Sequence, residues 1–393
     1  MSAILYSQSE SNLNDLRVFK LRGRNNFSEH ITPLGYFAVS TSTTKKRNSS
    51  TFIENDAGYL LSDCYNQDAV KNFSSDFFEH NIKDTKISDP LRRIADETEE
   101  DYQTLDKILK DAGVQTYRVD FDETIYDSNY HGRPPVCPRD HFATIGETFY
   151  VTHPTDFYGP MLKQIDRNKI FLRYWDYKQC LTSTAFISRC GKDLFWDRTV
   201  QNTRRPHNKD GKDECAKNIA TLKEKWTNEG FRVHESSNGY HTDGAFCIVK
   251  PGCIVTLNDV QDYVTEFPGW DVLYLPDQSW DKVHPFLDMK EKVSGRWWVE
   301  GEEHNDQLIK YVNSWLTDWV GYVEETVFDV NMLSIDQNTI ICNNYNKEVF
   351  DHFKKHKVEP IIFNFRHRYF WDGGVHCITQ DLYREGTMED YIR

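Results

Sequence analysis

Met332-Leu333-Ser334-Ile335-Asp336-Gln337-Asn338-Thr339-Ile340-Ile341-Cys342 sets the pattern from which the fold is read. Two short apolar runs flank a three-residue polar turn, the signature of a β-hairpin. A helix follows over 346–355 and another strand over 360–365, so the unit reads strand, strand, helix, strand. Three more hairpins lie upstream. Phe142-Ala143-Thr144-Ile145 and Thr148-Phe149-Tyr150-Val151 flank Gly146-Glu147. Phe186-Ile187-Ser188 and Leu194-Phe195-Trp196 flank Gly191-Lys192-Asp193. Phe246-Cys247-Ile248-Val249 and Cys253-Ile254-Val255 flank Pro251-Gly252. A looser hairpin is expected between 35–41 and 50–53, joined by a loop holding Lys45-Lys46-Arg47.

Helices accompany these hairpins. Residues 98–112 put Leu105, Ile108, Leu109 and Ala112 on one face, with Thr98 and Asp101 as the expected N-terminal cap pair. Gly113 stops that helix before a strand at 114–119. Residues 212–229 put Cys215, Ile219, Leu222 and Trp226 on one face, and Gly230 ends them before Phe231-Arg232-Val233. A ββαβ unit cannot bury its helix face alone, and packing several around a common axis solves the problem. The other reading is an ordinary α/β domain whose hairpins merely look alike.

The chain has 393 residues, 38% hydrophobic and 14% aromatic, enough for a large core. We expect a polar N-terminal segment over 1–34 and a single domain over 35–393. Neither a secretory leader nor a transmembrane run is read from the sequence. Nine cysteines without a CxxC pair do not suggest a disulfide framework or a zinc ribbon, and a cytoplasmic setting is expected. A net charge of −14 argues against a broad nucleic-acid surface. No metal, cofactor or membrane partner is expected, and a homodimer is left open.

The chemistry is read from Trp371-Asp372-Gly373-Gly374-Val375-His376-Cys377. A Gly-Gly pair lets the backbone turn sharply near a ligand, and Cys377 follows it as a nucleophile would. His241-Thr242-Asp243 and Arg139-Asp140 lie upstream. Cysteine, histidine and two carboxylates suit thiol catalysis. Each has a plainer reading: buried filler for Cys377, a turn or surface ion pair for Arg139-Asp140, two metal ligands for His241 and Asp243.

These residues resemble the amidinotransferases of the pentein superfamily. The resemblance runs from the helix near 91–112 to the C-terminal end. It is strongest at Pro138-Arg139-Asp140, Gly191-Lys192-Asp193-Leu194-Phe195, His241-Thr242-Asp243-Gly244-Ala245-Phe246 and Gly373-Gly374-Val375-His376-Cys377. It implies an α/β propeller of five pseudo-symmetric ββαβ modules. It further implies Cys377 as nucleophile, His241 as general acid and base, and Asp140 and Asp243 as the grip on a guanidinium. The substrates would be an arginine-like donor and a primary amine.

Two departures stand out. Ser183, in Leu181-Thr182-Ser183-Thr184-Ala185, occupies the position of the family's orienting aspartate. The stretch Thr256-Leu257-Asn258-Asp259 lacks the family's donor-binding arginine, and Arg366 is a candidate anchor instead. Residues 282–325, with Trp297-Trp298, Trp315 and Trp319, are longer than the family's equivalent and are read as an extra packed helix rather than a lid. Competing functions are a guanidine-modifying hydrolase of the arginine deiminase or dimethylargininase kind, and a non-catalytic binding protein on the same scaffold.

Overall fold

The apolar runs of the sequence pair as their turns dictate. The computed structural model describes residues 36–38, 74–119, 137–140, 142–146, 148–151, 170–171, 184–197, 209–236, 241–257, 267–275, 299–313, 327–371, 373–381 and 388–392. In chain order the elements are β1 (Tyr36–Ala38), α1 (Ser75–Asn81), α2 (Thr85–Asp111), β2 (Tyr117–Val119), β3 (Phe142–Ile145), β4 (Thr148–Val151) and β5 (Ile170–Phe171). Next come β6 (Ile187–Cys190), β7 (Asp193–Asp197), α3 (Lys209–Asn228), β8 (Arg232–Ser236), β9 (Phe246–Lys250), β10 (Cys253–Thr256) and β11 (Asp271–Tyr274). The remainder are α4 (Asp306–Asn313), α5 (Val327–Val330), β12 (Leu333–Ser334), β13 (Thr339–Cys342), α6 (Lys347–Lys355), β14 (Glu359–Ile362) and α7 (Arg368–Trp371).

One topology recurs. The sheets β3-β4-β5, β6-β7-β8, β9-β10-β11 and β12-β13-β14 each join an antiparallel hairpin to a third strand that runs parallel to the second. The parallel third strand requires a crossover. Helix α3 supplies it between β7 and β8, and α6 supplies it between β13 and β14. The four first strands β3, β6, β9 and β12 all contribute to the wall of one cavity. The mixed α/β architecture and repeated unit therefore match the sequence reading.

Tyr36–Ala38 pairs in parallel with Tyr117–Val119, which follows helix α2. Residues 50–53, the expected partner, lie outside the described residues, as do 1–34 and the basic loop.

Helix α2 starts thirteen residues before the expected 98, because the Asp84 side chain caps it by accepting from Lys86 N. The cap pair read from sequence does other work. Thr98 Oγ1 accepts from Trp371 Nε1 at 2.9 Å, and Asp101 binds Arg366. Pro90 inside the helix removes the donor that would meet the Lys86 carbonyl, and Asn305 Nδ2 donates to that carbonyl at 2.7 Å instead. Leu91, Ile94, Tyr102, Leu105 and Leu109 form a buried stripe at helical spacing. Each buried leucine contributes about 1.5–3 kcal/mol relative to exposure. The stripe packs with Phe365, Trp371, Val375 and Ile378, so it supports the segment that carries Cys377. Leu308, Ile309 and Val312 of α4 join the same core, as expected for an extra packed helix. Trp297, Trp298, Trp315 and Trp319 lie outside the described residues.

Candidate active site

Cys377 is delivered by the Gly373-Gly374 turn, where close packing leaves no room for a side chain. A Cβ on Gly373 would lie 2.7 Å from the Cys137 sulfur, and one on Gly374 would lie 2.5 Å from Asn331 Oδ1. Two buried amides hold the turn. Asn343 Oδ1 accepts from Val375 N at 2.7 Å, and Asn331 Oδ1 accepts from His376 N at 3.0 Å. Asn331 stands just before β12 and Asn343 just after β13, so a single hairpin supplies both.

Arg139 fastens the other side. Its backbone N–H donates to Cys377 O at 3.4 Å, and its Nε donates to the carbonyls of His376 and Thr379, each at 2.9 Å. Nη1 lies 3.5 Å from Asp381 Oδ2. The short turn Pro138–Asp140 is thereby tied to the cysteine segment, which brings the backbone of Asp140 to the site.

Asp243 lies in a second short turn, Thr242–Gly244, and is 4% exposed. The Thr242 hydroxyl ties this turn to its neighbour by donating to Ala185 O at 2.9 Å. Asp243 Oδ2 accepts from His376 Nδ1 at 2.8 Å and from the Cys377 thiol at 3.2 Å. Its Oδ1 is buried with no hydrogen-bond partner. Asn331 Nδ2 donates to Cys377 Sγ at 3.0 Å. His241 precedes the turn, with its ring edge-on to Phe186 at 4.9 Å.

The electrostatics are consistent with that geometry. Burial opposes the Asp243 charge, but the hydrogen bond from His376 and the nearby His241 and Arg139 outweigh it and hold the carboxyl below its ordinary range. Burial, reinforced by the Arg139 charge, pushes His376 below its ordinary value. His376 is therefore neutral near pH 7, with its Nδ1 proton given to Asp243.

Asp243 and His376 line the cavity, which has a volume of about 360 Å³ and is also walled by Arg139, Ser188, Arg189 and Asp381. Of the residues read from the sequence, the structure brings Asp243 and Cys377 into contact, with His241 and the turn of Asp140 beside them. Arg366 is elsewhere: its guanidinium binds Asp101 Oδ1 and Glu100 Oε2, each at 2.8 Å, and the Glu97 carbonyl at 2.7 Å. Ser183 lies outside the described residues. Sequence reasoning missed Asn331 and Asn343, and it took His376 only as a neighbour of the cysteine. A signal existed: both asparagines border the same apolar hairpin, where an amide can reach backbone groups at its open end.

Comparison with known proteins bears on the fold and on the kind of relative. The chain matches no established family model. It is 22% identical over 225 residues to the mitochondrial glycine amidinotransferase of Xenopus laevis, a stretch that covers 56% of this chain and 42% of that protein. It is 22% identical over 153 residues to the L-arginine:L-lysine amidinotransferase of Pseudomonas savastanoi pv. phaseolicola, covering 39% of this chain and 33% of that one. The chain thus spans less than half the length of these curated relatives. In fold it matches an amidinotransferase of the saxitoxin biosynthetic pathway from Microseira wollei, with a TM-score of 0.53, 18% identity and coverage of 76% and 87% of the two chains. The inosamine-phosphate amidinotransferase of Streptomyces griseus gives 0.51, 18%, 77% and 84%. The mixed α/β fold is shared with these structures. Within it, the resemblance is to the amidinotransferases. Among the described residues no helix is long and apolar enough to cross a membrane.

Proposed function

We propose that this protein moves an amidino group from an arginine-like donor to a primary amine through a covalent amidino-Cys377. The observation that carries this reading is the buried, ionised Asp243, with one oxygen on the Cys377 thiol and the other without a partner. A carboxylate beside a thiol opposes a thiolate, because two negative charges then share a site. A planar cation reverses that balance. A guanidinium gives Asp243 Oδ1 its missing donor and sets its carbon beside the sulfur.

In the proposed cycle His241 takes the thiol proton, and Cys377 Sγ attacks the guanidinium carbon. The C–N bond to the donor then breaks. The departing amine takes the proton from His241, leaving the amidino group on sulfur. The acceptor amine attacks that carbon and yields a proton to His241, the C–S bond breaks, and the proton returns to the sulfur. Asp140 is the second carboxylate of the grip. The donor's carboxylate anchor is not assigned to Arg366, whose guanidinium is engaged by α2. We further propose that 35–393 form a single domain. In it the β1–β2 pair, together with the segment around Cys377, closes the four three-stranded sheets into a five-module ring.

The test is incubation with arginine, with and without a panel of primary amines, followed by mass spectrometry of products and protein. Ornithine release with an adduct on Cys377, discharged by an amine, is expected. Citrulline in place of ornithine would assign the site to hydrolysis. Neither product, with no adduct from any guanidino compound, would overturn the reading.

A further inference from the structure

A second cluster of cysteine, histidine and aspartate lies away from the cavity. Cys253 opens β10 directly after the Pro251-Gly252 turn, at the far end of the hairpin from Asp243. Asp271 opens β11 in register with it. His352 lies on α6, and His356 is the C-cap of the same helix one turn later, so the two imidazoles share a face. Their ring centroids are 4.9 Å apart. One ligand atom from each of Cys253, His352 and His356 falls within 4.8 Å of the others. His356 Nε2 is 2.7 Å from Asp271 Oδ2, and His352 Nδ1 is 3.9 Å from the same oxygen.

We propose that Cys253, His352 and His356, completed by Asp271, form a structural site for Zn²⁺ or a similar divalent transition metal. Thiolate, imidazole and carboxylate are the donors that four-coordinate zinc takes, and an i, i+4 histidine pair on a helix presents two of them together. In a tetrahedral site with bonds of about 2.0–2.3 Å, ligand atoms stand roughly 3.3–3.8 Å apart, so small side-chain rotations suffice. A second observation points to a ligand. His352 is 8% exposed: the Ile254 backbone is a polar neighbour besides Asp271, and its buried Nε2 makes no hydrogen bond of normal geometry, a state that a metal would relieve.

The competing interactions are explicit. Lys355 pairs with Asp271, and Lys250 Nζ donates to the His356 carbonyl at 3.1 Å. An ion would replace Lys355 as the partner of Asp271. Burial, together with the Asp271 charge, pushes the Cys253 thiol up to about 12. The metal must therefore displace the thiol proton to solvent as the bond to sulfur forms. Once bound, it would tie the third sheet to the helix of the fourth.

The test uses full-length, chelator-treated Cys377→Ala protein, which removes the other cysteine that has a carboxylate and histidine beside it. Titration with Co²⁺ should give one equivalent of binding, with the d–d bands of a tetrahedral centre and a thiolate-to-cobalt charge-transfer band. Cys253→Ser should abolish the charge-transfer band. His356→Gln, at a more exposed position, should weaken binding at least about tenfold while circular dichroism stays unchanged. Absence of tetrahedral Co²⁺ bands would overturn the proposal. So would bands that survive both substitutions, which mean an adventitious ion only.

Discussion

Cys377 and Cys253 are both buried, and each has a carboxylate and histidine close by, yet the two surroundings do different things to sulfur. Cys377 sits on a turn and receives an N–H from Asn331, while Asp243 beside it keeps one oxygen without a partner. Cys253 sits in a strand with no exposed surface, and burial raises its thiol. A donor at the sulfur and an unsatisfied anionic partner favour reaction with a cation. Burial without a donor favours an inert thiol that only a metal would ionise. The lesson is that residue types alone do not define a thiol site: the hydrogen-bond partner and the backbone element decide it.

Four experiments would break or sharpen that contrast. Cys377→Ser should remove the guanidino adduct and lower turnover by on the order of a thousandfold or more, as loss of a nucleophile does. Intact turnover, or an adduct on another cysteine, would end the distinction. Asn331→Ala comes next. It deletes the donor to Cys377 Sγ and the acceptor for His376 N. Turnover should fall by roughly 10–100-fold, and urea denaturation should show a loss of about 1–3 kcal/mol from unpaired buried groups. Ser183→Asp is smaller. A carboxylate there would steady protonated His241 and should speed modification of Cys377 by a guanidino reagent by up to about tenfold. A slower rate would mean that Ser183 belongs to a differently built pocket.

The smallest effect is on acid stability. Burial lowers the pKa of both His352 and His376 in the folded chain. The unfolded chain then binds protons first as pH falls through about 6.5, so stability is full above that pH and declines below it. Urea midpoints of metal-free protein should therefore drop between about pH 7 and 5, and His352→Gln should flatten part of the slope. Asp271 adds a lower step. Its bonds to Lys355 and His356 hold it at about 2, so its contribution is present above about pH 4 and lost as pH falls from there to about 2.

Much of this was legible in the sequence, for identifiable reasons. Hairpins announce themselves because a tight turn between apolar runs leaves little choice of pairing, and β3–β4 falls on the residues expected for it. Long-range pairing carries no such signal, so the parallel pairing of Tyr36–Ala38 with Tyr117–Val119 was not foreseen. The start of α2 was missed because an aspartate cap at Asp84 reads like any surface aspartate, whereas Thr98 looked like a cap and is an interior hydrogen-bond acceptor. In the candidate site, Asp243 and Cys377, which the structure brings into contact, were both singled out by motif. Asn331 was not, since an asparagine before a strand usually makes a turn, and its four contacts appear only when distant segments meet. The same holds for His352 and His356 with Cys253, which join only across two sheets' worth of chain.

The bonds of Arg139 to the carbonyls of His376 and Thr379 span 237 and 240 residues of chain. On a ribosome adding about 5–20 residues per second, roughly 10–50 s separate the synthesis of these partners. During that interval the turn of Asp140 exists without the segment that orders it, and Asp243 without its thiol. The nascent chain can close its early hairpins one at a time, but Asp243 has no Cys377 thiol to accept from until that segment emerges and docks.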